Sequence, residues 1–214
     1  MTTAPSLRER KKQRTRQALI DTALVLFGEH GFGGVTLDEV CAEVEVSKRT
    51  FFRYFTGKEA VAMAPLEDLW RTFLDELETC PADGRPLLGL LESVLLAALE
   101  RVADEEWAGR ALRSYRLLQV TPSMDAHGLH FCEDTVRSVL DVLHRRLDLP
   151  DDARPRLAGD MLVAAWRHAL GGWASAAVEP PSVADLAARV RDAVAALPGS
   201  LTLAAAPRPE AGGR

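Results

Sequence analysis

The sequence predicts an all-α fold, and three of its features support that prediction. Apolar residues recur three and four positions apart along most of the 214 residues, and no long stretch alternates as a half-buried strand would. With 47% apolar residues, the chain can bury a large core without disulfides. Gly and Pro clusters separate about nine helical segments. We expect an N-terminal domain over 1–56, a larger helical domain over 57–197, and a disordered tail over 198–214.

The Gly and Pro residues also set the predicted helix boundaries. The first helix is expected over 7–30, because Gly31 is suited to cap a helix C-terminus. Two short helices should follow at 36–43 and 47–54. A long helix should then run from 57 to 79, with a kink at Pro65, whose ring removes one backbone donor. The remaining helices are predicted at 86–104, 107–119, 124–147, 152–177 and 182–197.

Charge is distributed unevenly between the two expected domains. The net charge is −5, but residues 1–60 hold ten Lys and Arg against eight acidic residues, whereas residues 61–214 hold sixteen against twenty-three. Any polyanion should therefore bind at the N-terminal end. We find no apolar run of about 18 residues and no secretory leader, so we expect a cytoplasmic protein with no membrane segment. Three widely spaced cysteines indicate reduced thiols.

Residues 36–59, TLDEVCAEVEVSKRTFFRYFTGKE, contain three helix-start signals in close succession. Thr36 with Glu39 predicts a capping box, in which each side chain binds the other's backbone amide. Ser47 is placed to cap a second short helix. Thr56 with Glu59 predicts a third cap at the start of the long helix. Two short capped helices joined by a tight turn are typical of a helix-turn-helix.

The second short helix should bury one face and expose another. Phe51 and Phe55 are four residues apart and should pack inward. The opposite face combines cations, a hydroxyl, an aromatic ring and a phenol, carried by Lys48, Arg49, Thr50, Phe52, Arg53 and Tyr54. Base edges in the major groove offer acceptors and the thymine methyl to such groups, so we expect this face, together with Ser47, to bind DNA. Lys58, in the first turn of the next helix, is expected to point outward toward a phosphate.

From about Arg16 to Val61 the sequence resembles the TetR family. The shared motifs are LF-x-x-x-GF at the end of the first helix, T-x-x-x-V from Thr36, and S-x-x-T-F-F-x-Y-F-x-x-K-E from Ser47 to Glu59. The resemblance implies an all-helical homodimer with a three-helix DNA-binding domain, and most often a ligand-released repressor of a pseudo-palindromic operator. It further implies base-reading or groove-facing positions at Lys48, Arg49, Thr50 and Phe52, and phosphate contacts at Thr36, Tyr54 and Lys58.

Two features near this motif need separate interpretation. The family usually has glycine in the turn before Val46, where this chain has Glu45. If that position requires a positive φ, Glu45 costs on the order of 1 kcal/mol. The basic segment from Arg8 to Arg16 is interpreted either as an arm reaching a minor groove or as a disordered tail that attracts DNA weakly.

A ligand pocket is expected among the helices of the larger domain, where apolar and polar-tipped side chains mix. Each such residue, taken on its own, favours plain core over a ligand contact; together they favour an apolar ligand oriented by a few polar atoms. The string from Arg49 to Phe55 also resembles that of actinobacterial TetR members with acyl-CoA-like ligand-binding domains, which implies a small apolar or acyl-type effector. The candidate ligand residues are Trp70, Phe73, Leu91, Leu95, Tyr115, Leu118, Met124, His127, Phe131 and Trp166.

The last two predicted helices are expected to form the dimer interface. The final helix has a regular apolar stripe, and the helix before it is rich in Ala and Gly, which allow close helix packing. Pairing with the same helices of a second copy would give a four-helix bundle, although ordinary packing within one chain would produce the same pattern. The family resemblance implies the same interface.

Two other classes of function were considered. No Gly-rich phosphate loop, nucleophile elbow or zinc-protease string is present, so we do not expect an enzyme. The alternative is a metal-responsive regulator that uses His127, His130 and Cys132, since the two histidines would share a helix face. No fourth ligand is evident, and a regular helix turns Cys132 away from His130. No cofactor is predicted.

Overall fold

The computed structural model describes residues 6–103, 106–176 and 182–205. These residues form nine α-helices and no strand, which confirms the predicted fold class. The helices are α1 (Leu7–His30), α2 (Leu37–Glu43), α3 (Lys48–Phe51), α4 (Lys58–Thr79), α5 (Leu87–Val102), α6 (Trp107–Val120), α7 (Pro122–Arg146), α8 (Ala153–Ala176) and α9 (Val183–Leu201).

Helix α1 begins at Leu7 and ends at His30, as predicted. Ser6 caps it: the Ser6 hydroxyl accepts from the Glu9 amide at 3.2 Å, and the Glu9 carboxylate accepts from the Ser6 amide at 3.1 Å. The basic residues from Arg8 to Arg16 therefore lie on the first turns of the predicted helix, so the disordered-tail interpretation was wrong, whereas a minor-groove contact by this segment stays a prediction. The local capping pair was present in the sequence but went unrecognised. Residues 1–5 lie outside the described residues.

Helix α4 is the central helix of the fold. It packs against α1 on the side of the small domain and against α5, α6 and α7 in the larger domain. Nearly all of its residues from Val61 to Trp70 are buried. The helix continues through Pro65, and the Trp107 indole N–H donates to the Pro65 carbonyl at 3.1 Å. One continuous helix thus extends from the small domain into the core of the larger one.

The last helix ends later than predicted. Pro198 lies inside α9, which continues to Leu201, so the tail does not begin at residue 198. Pro198 lies in the last turn of the helix, where its missing N–H removes one backbone hydrogen bond. Side-chain hydroxyls bind nearby carbonyls: Ser200 Oγ donates to Ala196 O at 3.0 Å, and Thr202 Oγ1 donates to Gly199 O at 3.3 Å. The predicted disorder of residues 206–214 concerns positions outside the described residues.

No helix in the described part of the chain is both long and apolar enough to span a membrane.

Candidate nucleic-acid interface and ligand pocket

The N-terminal caps predicted for the two short helices of the helix-turn-helix, α2 and α3, are present. The Thr36 hydroxyl accepts from the Glu39 amide at 3.3 Å, and the Glu39 carboxylate accepts from the Thr36 amide at 2.7 Å. Hydrogen bonds from the Thr36 backbone amide, and then from its hydroxyl, lower the pKa of the Glu39 carboxyl. Ser47 caps α3 by accepting from the Thr50 amide at 3.2 Å. The hydroxyls of Thr36 and Ser47 are therefore engaged within their own helix starts.

Helix α3 is shorter than the predicted 47–54, although the chain keeps turning beyond it. Regular α-helix covers only Lys48–Phe51, and the Tyr54 amide then donates to the Phe51 carbonyl at 2.8 Å. Phe51 and Phe55 are buried with ring centroids 5.6 Å apart, so the inward aromatic pair is confirmed. This pair anchors the segment and fixes which side faces solvent.

The exposed side of this segment carries the predicted DNA-binding groups. Lys48, Arg49 and Arg53 are exposed, and the Phe52 ring is 54% exposed although it contacts Phe51 edge-on. Lys48 pairs with Asp38 at 2.8 Å. The Arg53 guanidinium donates to the Tyr54 hydroxyl at 3.3 Å and lies over the Tyr54 ring. These groups form one continuous polar surface, which we call the α3 face (residues 48–50 and 52–54).

A basic groove of about 450 Å³ lies beside the α3 face. One wall is the first turns of α1, and the other belongs to the turn before α3 and to α3 itself. Four cations face it, and its lining residues are Arg8, Lys11, Lys12, Thr15, Val46, Thr50, Arg53 and Tyr54. The helical form of α1 therefore adds its positive charge to the same surface.

Lys58 was predicted to point outward, but its side chain points inward to the turn between α1 and α2. Its ammonium donates to the carbonyl oxygens of Phe32 and, at 2.5 Å, of Val35, and it lies 4.6 Å from the centre of the Phe32 ring. The side chain therefore fastens the start of α4 to the turn between α1 and α2. A phosphate contact by this ammonium would require it to leave both carbonyls.

The third predicted cap was also wrong. Helix α4 begins one residue later than the motif suggested, so Gly57 is its N-cap and no side chain caps it. With Gly57 in that position, Glu59 is the second helical residue rather than the third, and it cannot form the reciprocal pair with Thr56.

The turn between α2 and α3 confirms the expectation for Glu45. Its φ is 55°, the left-handed region that favours glycine, and it is the only non-glycine residue among the described positions with a positive φ. The turn is closed by a backbone hydrogen bond in which the Val46 amide donates to the Cys41 carbonyl at 2.9 Å. The exposed Glu45 carboxylate also places a negative charge next to the α3 face.

A cavity of about 370 Å³ lies between α4, α6, α7 and α8. Five of the ten predicted ligand residues line it: Trp70, Tyr115, Leu118, Phe131 and Trp166. Its volume is within the range of small-molecule sites, which begins at about 300 Å³. The walls are mainly apolar, and the Trp70 and Trp166 rings meet edge-on with centroids 6.1 Å apart.

The other five predicted residues do not line this cavity. Phe73, Leu91, Leu95 and Met124 are fully buried in the core. Helical periodicity marks the inner face of a helix but cannot distinguish a packed position from one that borders an open space. His127 instead faces a cleft of about 250 Å³ between the two domains, where its Nε2 lies 2.8 Å from Glu67 Oε1.

Several cavity-lining residues were missed in the sequence, and two of them are informative. Glu67 lies on the buried face of α4 and is only 4% exposed, so a carboxylate inside an apolar stripe was the available signal. Cys132 also lines the cavity, and burial raises the pKa of its thiol against an opposing effect of Arg167. The further lining residues are Met63, Leu66, Gln119, Asp125, Gly128, Leu129, Arg167, His168 and Leu170.

The predicted metal-donor cluster is not assembled. His127 is bound to Glu67, and His130 is exposed beside Asp134 at 3.4 Å, while Cys132 lines the cavity. Within the ranges that the structure describes, no three His, Cys, Asp or Glu side chains are placed to hold a metal ion. The metal-responsive alternative therefore gains no support.

Comparison with known proteins accounts for this arrangement. Residues 19–64 match the family described as bacterial regulatory proteins, tetR family. Over 158 residues the chain is 38% identical to the HTH-type transcriptional regulator TcmR of Streptomyces glaucescens, which covers 71% of this chain and 70% of TcmR. The chain belongs to the TetR family. It is a DNA-binding transcription regulator of the TetR type and not an enzyme.

Other TetR relatives agree with this assignment. The negative transcriptional regulator IcaR of Staphylococcus epidermidis is 29% identical over 77 residues, covering 36% of this chain and 42% of IcaR. Thermus thermophilus FadR, a TetR family repressor solved in complex with lauroyl-CoA, superposes with a TM-score of 0.51. The superposition covers 92% of this chain and 100% of FadR at 23% identity, which shows a shared fold.

Proposed function

We propose that this TetR regulator is a repressor that binds a pseudo-palindromic operator as a homodimer and is released by a small apolar or acyl-type effector. The observation that carries the proposal is the α3 face. A buried aromatic pair and two caps hold it rigid, and its cations and aromatic groups are exposed beside a basic groove. Such a surface suits the major groove and the flanking phosphates.

Within the α3 face we assign different roles to the side chains. Arg49 is exposed and is the best placed cation for base edges, with Lys48, Thr50 and Phe52 beside it. Arg53 and Tyr54 adjoin the basic groove, where α1 adds further cations for phosphate contacts. Thr36 and Ser47 act by fixing the helix starts. Lys58 holds the domain together.

The domain boundary follows from α4. We assign residues 1–56 to DNA binding, and residues from 57 to the end of α9 at Leu201 to ligand binding and dimerisation. This second range is longer than the sequence predicted because α9 continues through Pro198.

We place the dimer interface on α8 and α9. These helices pack closely on each other and leave an open groove of about 510 Å³ along their outer side. Its floor includes Ala165, Ala169 and Gly172 on α8 and Ala193 on α9, all small enough for the helices of a second copy to approach closely. Two-fold pairing would present two α3 faces to half-sites roughly 34–36 Å apart.

The effector is assigned to the cavity between α4, α6, α7 and α8. Apolar walls suit a hydrocarbon or aromatic body, and the exposed Arg167 and His168 border the cavity, where an anionic group could remain hydrated. The lauroyl-CoA bound by FadR agrees with an acyl-type effector but does not specify it for this chain. An effector that prefers a dimer with misplaced α3 faces must weaken operator binding, and operator must weaken effector binding by the same factor.

Selection of bound sequences from random double-stranded DNA tests the proposal. Recovery of a two-fold symmetric site is expected, and a salt titration on that site should give a steep, linear fall of log affinity with log salt concentration. Native mass spectrometry of the same preparation should show a dimer. An asymmetric consensus, binding without salt dependence, or a monomer at working concentration would each contradict the proposal.

A further inference from the structure

A chain of ion pairs connects the wall of the effector cavity to the DNA-binding domain. It starts at Glu67, whose side chain is only 5% exposed and borders both the cavity and the cleft between the domains. Its two oxygens have different partners. Oε1 lies 2.8 Å from His127 Nε2 on α7, and Oε2 accepts from Arg71 Nη2 at 2.6 Å.

The second half of this series of ion pairs connects α4 to α1. The Arg71 guanidinium also donates to Asp68 Oδ1 at 2.8 Å, so one planar group joins the carboxylates of Glu67 and Asp68. Asp68 in turn accepts two hydrogen bonds from Arg16, at 2.7 and 2.8 Å, in the bidentate geometry that holds a guanidinium most firmly. Arg16 is 52 residues away in sequence and mostly buried, with 18% of its side chain exposed.

The series of ion pairs ends at the aromatic pair that anchors the α3 face. The Arg16 guanidinium lies 5.2 Å from the centre of the Phe55 ring, and Phe55 packs against Phe51 of α3. Each member of the series therefore contacts the next, from a group bordering the cavity to a group beneath the DNA-binding surface. We call it the Glu67 relay (His127, Glu67, Arg71, Asp68 and Arg16).

We propose that the Glu67 relay transmits the state of the effector cavity to the α3 face. The inference rests on the proposed function and specifies how that site is regulated. A buried carboxylate needs its partners, because an unpaired charge in that position is costly. When the environment of Glu67 changes on the cavity side, the hydrogen bonds of Arg71 shift between Glu67 and Asp68. The hydrogen bonds between Asp68 and Arg16 then change in strength.

A double-mutant cycle on the full-length protein tests the relay without requiring the effector. Glu67→Gln removes the charge at the cavity wall while keeping the shape, and Asp68→Asn does the same at the link to α1. The readouts are the operator dissociation constant at fixed salt and hydrogen exchange of α1 and α3 amides. Asp152→Asn is the matched control, because it breaks an exposed Arg–carboxylate pair with Arg154 at 2.7 Å far from the relay.

Glu67→Gln is expected to change the operator dissociation constant by about threefold or more and to alter exchange in α1. In the Asp68→Asn background the same substitution should have no further effect, because the link is already broken. Effects that multiply independently, or a Glu67→Gln protein identical to wild type in both readouts, would overturn the proposal.

Two further measurements keep the test decisive. If Glu67→Gln gives no cooperative thermal transition, His127→Gln replaces it, since His127 is about one-third exposed and its substitution changes the partner of Glu67 Oε1. If wild-type protein fails to retain any DNA, the repressor proposal is wrong. The exchange data then still report whether a change at Glu67 reaches α1 through Asp68.

Discussion

The DNA-binding domain and the cavity domain are held together in different ways. In the first, short-range pairs fix the geometry: Thr36 with Glu39, Ser47 with Thr50, and Phe51 with Phe55 are three or four residues apart. In the second, four helices that span residues 58–176 enclose one cavity. The first domain therefore presents a rigid outer surface on a small core, whereas the second depends on long-range packing and can change shape around a ligand.

The largest expected effect breaks the long-range packing. Trp173 is 1% exposed, and its indole N–H donates to the Ser182 carbonyl at 2.8 Å. Trp173→Ala should lower the free energy of unfolding by about 3–5 kcal/mol, because it removes a large buried side chain and leaves a cavity. Urea unfolding followed by circular dichroism measures the loss. A Trp173→Phe protein keeps most of the apolar volume and should retain most of the stability; equal losses for both would contradict the packing argument.

The second effect concerns the α3 face of the first domain and should appear in operator affinity far more than in stability. Arg49→Ala combined with Tyr54→Ala removes a cation and a phenol from the α3 face, and operator affinity should fall by about a hundredfold or more. Fluorescence anisotropy with a labelled operator measures this. Arg137→Ala, which removes an exposed arginine of α7, should bind like wild type. Unchanged operator retention by the double variant would refute the role of the α3 face.

The same contrast explains how far the sequence predicted the structure. Most helix boundaries, two caps and the inward aromatic pair were predictable because each depends on neighbours within a few residues, and the positive φ of Glu45 was expected from the glycine usual in the family. The partners of Lys58 lie 26 and 23 residues away, and those of Glu67 include His127, 60 residues away. Periodicity carries no information about which distant atoms meet, so these contacts required the structure.

The third effect tests the junction between the domains. Lys58→Met removes an ammonium that binds the Phe32 and Val35 carbonyls but keeps an apolar stem of similar length. We expect a loss of about 2 kcal/mol in the free energy of unfolding, since hydrogen bonds to charged groups contribute more than neutral ones. Lys48→Met breaks only the exposed pair with Asp38 and should cost under about 1 kcal/mol. If Lys48→Met destabilises more than Lys58→Met, Lys58 is not a fastening residue.

The smallest effect is a gain, and it lies in the turn that sets the angle of α3. Glu45→Gly relieves a left-handed conformation that costs a non-glycine residue about 1–2 kcal/mol, but it also frees the unfolded chain, so the net gain should be about 0.5 kcal/mol. Glu43→Gly, in the last turn of α2, has no such strain to relieve and should destabilise by a similar or larger amount. Thermal unfolding of the two variants side by side measures both signs. Because Glu45→Gly also removes a negative charge beside the α3 face, its operator affinity should rise slightly at low salt and return toward the wild-type value as salt is added. A loss of stability in Glu45→Gly would mean that the turn tolerates glutamate without strain.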